Sequence, residues 1–173
     1  MDAHIELSLV IGADGSLTKN GSSREISSTT DRQRFLALRR EFDVIMIGGG
    51  TARSEPYERT PVPLIVLSRS LTKHTNPKAV IWQSSPREAI ARAVKEFGPH
   101  ILIEGGPRLF RELLPVIRRI HLTITDKSGD TPGFNWKEEF LDFSQESKEE
   151  REGEIFLTPK SQKLKSKSAK FPK

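Results

Sequence analysis

The stretch from His100 to Leu114 constrains the fold most. It begins with an apolar run, Ile101-Leu-Ile103, passes Glu104 and breaks at Gly105-Gly106. It resumes with Leu109, Phe110, Leu113 and Leu114 at helical spacing. A short continuous apolar run reads as a strand buried on both faces, which belongs in a sheet flanked by helices. Glycine between strand and helix lets backbone approach a ligand, and the free N–H groups of a helix start favour an anion. Glu104 then falls at the carboxyl end of the strand, where open α/β sheets place their ligands. A plain connection that needs glycine only for its geometry is the competing reading of this stretch alone.

The same junction recurs. Val44-Ile-Met-Ile47 empties into Gly48-Gly-Gly-Thr51, and Pro63-Leu-Ile-Val-Leu67 into Ser68-Arg-Ser70. No Gly-Lys-Ser/Thr follows the glycines, so this is not a Walker loop, and the full G-x-G-x-x-G spacing is absent. His4 to Ile11 and Ala79 to Trp82 read as further strands. A helix is expected from the Ser27–Asp31 caps to about Arg40, with Phe35, Leu36 and Leu38 as its apolar side and Phe42 beyond. A second starts at Ser85-Pro-Arg-Glu88, which combines a serine N-cap, proline at N1 and glutamate at N3, and ends at Gly98-Pro99. Ile120 to Ile124 alternates as a strand, and Phe140–Phe143 with Glu154–Leu157 read as arms of a terminal hairpin around a turn at 149–153. Strands alternating with helices predict an α/β fold with a mostly parallel central sheet and an antiparallel C-terminal hairpin.

The chain has 173 residues, which suits one domain, here residues 1–160. The formal charge of +5 rests on the lysines of the last thirteen residues, 161–173, which hold no acid. The body is neutral, so its charge does not argue for nucleic-acid binding, and the basic tail is expected to be disordered. With no cysteine there is no disulfide, thiolate metal site or cysteine nucleophile. The four histidines, at 4, 74, 100 and 121, show no metal-binding spacing, so no metal is expected. No apolar run is long enough to span a bilayer, and the N-terminus lacks a signal-peptide pattern, so a cytoplasmic protein without a membrane partner is expected.

Three anion-compatible strand ends, Gly48–Thr51, Ser68–Ser70 and Gly105–Gly106, suit a dinucleotide carrying an extra phosphate. Two would serve the pyrophosphate region, and Arg69 a 2′-phosphate, which points to NADPH over NADH.

With these residues in view, the chain resembles the reductase domain of bifunctional riboflavin biosynthesis enzymes, which has the dihydrofolate-reductase-like three-layer fold. The resemblance covers residue 4 to about residue 125. It rests on the Asp14-Gly15 turn, Leu38-Arg39, Gly48-x-Gly-Thr51 with Glu55-Pro56, and Glu104-Gly-Gly-Pro107. It implies reduction of 5-amino-6-(5-phosphoribosylamino)uracil, a phosphorylated pyrimidine, with hydride from NADPH turning ribosyl into ribityl. It also implies a homodimer. The resemblance places NADPH against Val10, Thr51, Ser54, the Ser68-Arg69-Ser70 loop, and Gly106, Pro107, Arg108, Leu109 and on to Glu112; the glycine strand ends add Gly48, Gly50 and Gly105. It places substrate against Ser23, Arg39, Arg59 and Glu104. Arg39 and Arg59, with the Ser23 hydroxyl, would neutralise the sugar phosphate. Glu104 and Asp14 are the candidates for orienting the reacting ribose.

Three departures fall on the substrate side. The first turn reads Gly12-Ala-Asp-Gly where the family has Ser-Leu-Asp-Gly, an aromatic residue near Ser23 is replaced around Glu25, and a proline- and glycine-rich segment is replaced by Thr125–Asp130. The zinc deaminase domain of bifunctional members is missing from this sequence. Two other readings stand beside the main one. A dihydrofolate or other pterin reductase of the same fold would carry an arginine after Gly48, which this chain lacks. A non-catalytic nucleotide-binding module would use the basic tail.

Overall fold

The computed structural model describes residues 2–163. Its centre is one eight-stranded sheet. In chain order the strands are β1 (His4–Ile11), β2 (Val44–Gly48), β3 (Leu64–Leu67), β4 (Ala79–Trp82), β5 (His100–Glu104), β6 (Arg119–Ile124), β7 (Phe143–Arg151) and β8 (Glu154–Ser161). Their spatial order is β4-β3-β2-β5-β1-β6-β8-β7. The first six run parallel, and β8 and β7 are antiparallel, as the strand pattern predicts. Five helices accompany them: α1 (Thr29–Leu38), α2 (Gly49–Ser54), α3 (Pro86–Glu96), α4 (Pro107–Leu113) and α5 (Trp136–Glu139).

Each central strand buries both faces, so the core divides in two. Ile101 and Ile103 of β5 face α3 and α4, packing with Ala89, Ile90, Ala93, Phe110 and Leu113. Leu102 faces the other way, with Ile45, Ile47, Leu64, Val66 and Tyr57. The α3 start has all the features its sequence promised. Ser85 Oγ accepts from the Glu88 amide, and the Glu88 carboxylate accepts back from the Ser85 amide at 3.0 Å. This reciprocal cap satisfies donors that a helix start otherwise leaves open.

Three expectations need correction. The helix α1 does not bury an apolar side: Asp31 is its buried residue, while Leu36 is 39% exposed. Beneath it the sheet face mixes Ser8, His121 and Thr123 with Phe156, and Phe156 is covered by the Arg34 guanidinium, 4.1 Å from its ring centroid, rather than by an apolar stripe. The terminal hairpin is longer than expected. Phe140 lies outside it, and β7 runs through the charged residues to Arg151 before a two-residue turn at Glu152-Gly153, both at positive φ. That turn twists as a hairpin requires, and a charged edge strand resists pairing with other chains. The tail boundary also shifts, since β8 continues to Ser161, which pairs with Phe143; residues 164–173 of the basic tail lie outside the described residues. No helix among the described residues is long and apolar enough to cross a membrane.

Candidate active site

The chain leaves β1 toward β2 and leaves β5 in the opposite direction, toward β6. Ligands bind in the crevice that such a reversal opens at the carboxyl ends of parallel strands. A cavity of about 460 Å³ lies there. Its floor is Ser8 to Val10 of β1 and Glu104 to Pro107 after β5, one side is Gly50 to Tyr57, and the other side is the β1–α1 loop with α1.

Glu104 and Ser8 are neighbours across the β1–β5 register. The Glu104 side chain is 2% exposed and is held from two directions. Arg39, itself 6% exposed, donates from Nε to Oε1 at 2.9 Å and from Nη2 to Oε2 at 2.7 Å. The Tyr57 hydroxyl donates to Oε2 at 2.6 Å. The Arg39 guanidinium lies 4.1 Å from the Phe35 ring centroid and 5.0 Å from that of Tyr57, so aromatic faces shield it on two sides. Burial alone would lower the Arg39 pKa, but the hydrogen bonds and charge of Glu104 outweigh it and raise it. Burial, then the negative charge of Glu104, push the Tyr57 phenol well above its usual range. The group is therefore a carboxylate held by a fixed cation and a neutral hydroxyl donor. Two lone pairs of Oε2 and one of Oε1 are engaged, which leaves acceptor capacity on Oε1 for a ligand donor.

Facing this triad is bare backbone. Gly105 and Gly106 have φ of 68° and 72°, a region that favours glycine. A Cβ on Gly105 would come within 3.1 Å of Thr51 Oγ1, while beside Gly50 nothing lies within 4 Å. A ligand can approach main chain closely here.

The fold thus joins Val10, Ser23, Arg39, Gly50, Thr51, Ser54, Glu104, Gly105, Gly106 and Pro107 around one cavity. Other candidates lie elsewhere. Gly48 ends β2 outside the lining. Ser68, Arg69 and Ser70 follow β3 one strand away from the cavity, with Ser68 against Gly49 and Ser70 hydrogen-bonded by Arg53. Arg108 is exposed and Leu109 sits in the core. Arg59 is exposed and off the lining. Asp14 is off it too, its carboxylate accepting from the Ser16 amide and hydroxyl, both at 3.0 Å, and from the Gly129 amide at 3.2 Å. Asp14 therefore braces a turn, and its reading as an orienting residue has no geometric support. Arg39 is likewise committed to Glu104 rather than held out for a phosphate.

Among the lining residues that sequence reasoning missed, three carry polar groups that bear on a ligand: Tyr57, Arg24 and Arg32. Tyr57 is the chain's single tyrosine, in the polar loop Glu55-Pro-Tyr-Glu; a lone aromatic among loop charges is the signal that could have found it. Arg24 and Arg32 have no local signal, because only the fold turns both toward the same space.

Three comparisons with known proteins bear on this site. Among curated protein sequences, none matches this chain. Solved structures do. A diaminohydroxyphosphoribosylaminopyrimidine deaminase/5-amino-6-(5-phosphoribosylamino)uracil reductase from Thermotoga maritima has TM-score 0.74 at 14% identity, over 92% of this chain. This chain covers 57% of that protein's length. A pyrimidine reductase-like protein from Corynebacterium diphtheriae has TM-score 0.73 at 20% identity, over 92% of both chains. A provisionally named riboflavin biosynthesis protein from Shewanella sp. PV-4 has TM-score 0.71 at 18% identity, over 94% of this chain and 99% of that one. At these identities the likeness concerns the fold. The model of the RibD C-terminal domain matches residues 3–125, and the chain belongs to that family.

Proposed function

We propose that this member of the RibD C-terminal domain family is an NADPH-dependent reductase of 5-amino-6-(5-phosphoribosylamino)uracil, converting its ribosyl group to ribityl. The observation that carries the reading is the pairing, in one cavity, of a buried acceptor with bare glycine backbone. Glu104, fixed by Arg39 and Tyr57, is on one side, and Gly50, Gly105 and Gly106 are on the other.

The residues present suit the cofactor. Backbone at Gly50, Gly105 and Gly106 lets a pyrophosphate approach main-chain N–H groups. Val10, Thr51 and Ser54 would hold the nicotinamide half, and Arg69 with Ser68 and Ser70 the extra phosphate. NADPH would supply the hydride when bound.

The protein's own part is positioning. Glu104 Oε1 accepts from a donor on the substrate, and Arg39 and Tyr57 keep that carboxylate in one place. Because neither partner gives up its proton near neutral pH, the triad orients substrate rather than shuttling protons. Preorganised contacts of this sort lower a barrier by fixing reactants in a near-attack geometry.

The test is NADPH fluorescence titration, followed by oxidation assays with the deaminated and non-deaminated pyrimidines. Gly106→Glu, which puts a carboxylate where phosphates would lie, is expected to lower NADPH affinity at least tenfold without unfolding the protein. Unchanged affinity would remove the cofactor assignment. NADPH binding without turnover of either pyrimidine would remove the substrate.

A further inference from the structure

With Arg39 committed to Glu104 and Arg59 off the lining, the cation that would meet a phosphorylated substrate must come from elsewhere. Two guanidiniums remain on the cavity wall. Arg24 belongs to a short 3₁₀ turn after β1, and Arg32 sits one turn into α1, bonded through its amide to the Ser28 carbonyl. Both line the same cavity as Glu104.

Among the described residues neither guanidinium makes a side-chain hydrogen bond or an ion pair. The two cavity carboxylates besides Glu104 are engaged by other groups. Asp31 accepts from Ser27 Oγ at 2.5 Å, and Glu55 accepts from the Ser22 hydroxyl at 2.8 Å and the Ser23 amide at 2.6 Å. Ser23 also lines the cavity, and its hydroxyl has no partner among the described residues. Two arginines with open donor edges, Arg24 exposed and Arg32 half-buried, and a free hydroxyl on one wall of an open cavity suit an oxyanion that accepts several hydrogen bonds at once.

We propose that Arg24 and Arg32, with Ser23 Oγ, form the phosphate subsite of this cavity, taking a pentose phosphate monoester whose other end reaches toward Glu104. The inference rests on the reductase reading for the substrate, and on the cavity alone for the anion. Electrostatics agree. Burial is the first cause that lowers the Arg32 pKa, and the charges of Arg24 and Arg39 lower it further, the repulsion that a bound dianion would relieve.

The experiment is isothermal titration of the full chain with D-ribose 5-phosphate and with D-ribose. It is applied to the wild type, to Arg24→Ala/Arg32→Ala, and to Arg59→Ala. The wild type is expected to bind ribose 5-phosphate at least tenfold more tightly than ribose. The double variant should lose at least tenfold in ribose 5-phosphate affinity, and Arg24→Lys/Arg32→Lys should recover part of it. Circular dichroism and NADPH titration of the double variant report its fold. Absence of ribose 5-phosphate binding by the wild type, wild-type affinity in a folded double variant, or the loss appearing in Arg59→Ala overturns the proposal. The two readings can fail separately. No NADPH binding, with ribose 5-phosphate still dependent on the pair, removes the reductase and leaves the subsite. NADPH binding, with ribose 5-phosphate indifferent to the pair, does the reverse.

Discussion

Replacing Glu104 by Gln should unfold this protein far more readily than the size of the change suggests. A carboxamide retains one acceptor oxygen and turns an N–H₂ group toward Arg39 and Tyr57, which are both donors. At least one of the three short bonds to Glu104 is then replaced by a donor facing a donor. Arg39 at 6% exposure and Glu104 at 2% have too little access to water for solvent to compensate. Losing one partner of a buried pair costs about 3–5 kcal/mol. With a urea slope of about 2 kcal/mol per molar, the denaturation midpoint of Glu104→Gln should fall by about 1.5–2.5 M. A loss under about 1 kcal/mol would refute the reasoning, because a pair so cheaply broken is an exposed one. A companion variant separates fold from function. Arg39→Met, Glu104→Leu and Tyr57→Phe together remove every polar member, and apolar replacement of a buried ionic group is often neutral or stabilising. The triple variant is expected to fold within about 1 kcal/mol of wild type and to reduce no substrate. If it is as unstable as Glu104→Gln, the triad serves the fold and the site assignment weakens.

Two further outcomes follow from the same geometry. Glu6 is buried, and although burial opposes it, hydrogen bonds from His121 at 2.5 Å and His4 at 2.7 Å hold its pKa below the usual value. A depressed carboxylate stabilises the fold above its unfolded pKa and ceases to do so as pH falls through the folded one; Glu6→Gln should therefore flatten the stability profile below about pH 4.5, and an unchanged acid limb would contradict this. Asp14→Asn should lower the thermal midpoint and raise the substrate KM while leaving NADPH affinity as it was, whereas a fall in kcat alone would return Asp14 to a direct role.

Local patterns were legible where local physics decides them. The α3 start is set by three residues, Ser85, Pro86 and Glu88, whose bonds close within one turn. β1 and β4 fall within the bounds that their apolar runs imply. Partnership across the chain was less legible. Leu38-Arg39 and Glu104 were each singled out, yet the pattern gave no sign that they bond to each other across 65 residues. The resemblance made Arg39 a phosphate ligand, whereas Phe35 and Tyr57, contributed by separate segments, shield its guanidinium on two sides. The α1 stripe misled for a related reason. An apolar residue on a helix predicts burial only if it is the one that meets the apolar surface opposite, and here that surface mixes Ser8, His121 and Thr123 with Phe156, which Arg34 covers. β7 was truncated because a charged edge strand, Ser144 to Arg151, has the composition of a solvated turn.

The departures from the family pattern on the substrate side are parts of one contact. The β1–α1 loop that carries Ser23 and Arg24 is tied along its length to the segment after β6. Ala13 donates to the Lys127 carbonyl at 2.8 Å, and Asp130 to that of Thr18 at 2.8 Å. The Thr125 hydroxyl donates to Ile26 O at 3.0 Å, and Lys127 Nζ to Ser27 O at 2.7 Å. These ties explain why a glycine stands where the family has serine. A Cβ on Gly12 would lie 2.4 Å from the Lys127 carbonyl oxygen, and one on Gly129 would lie 2.1 Å from that of Thr18. A side chain at either position would push the two segments apart, and with them the wall bearing Ser23, Arg24 and Ser27. The unusual first turn and the unusual 125–130 segment therefore require each other. The glycine floor at Gly50, Gly105 and Gly106 takes no part in those ties. Substitution on this side can reshape what the cavity accepts without disturbing the backbone that a cofactor would meet.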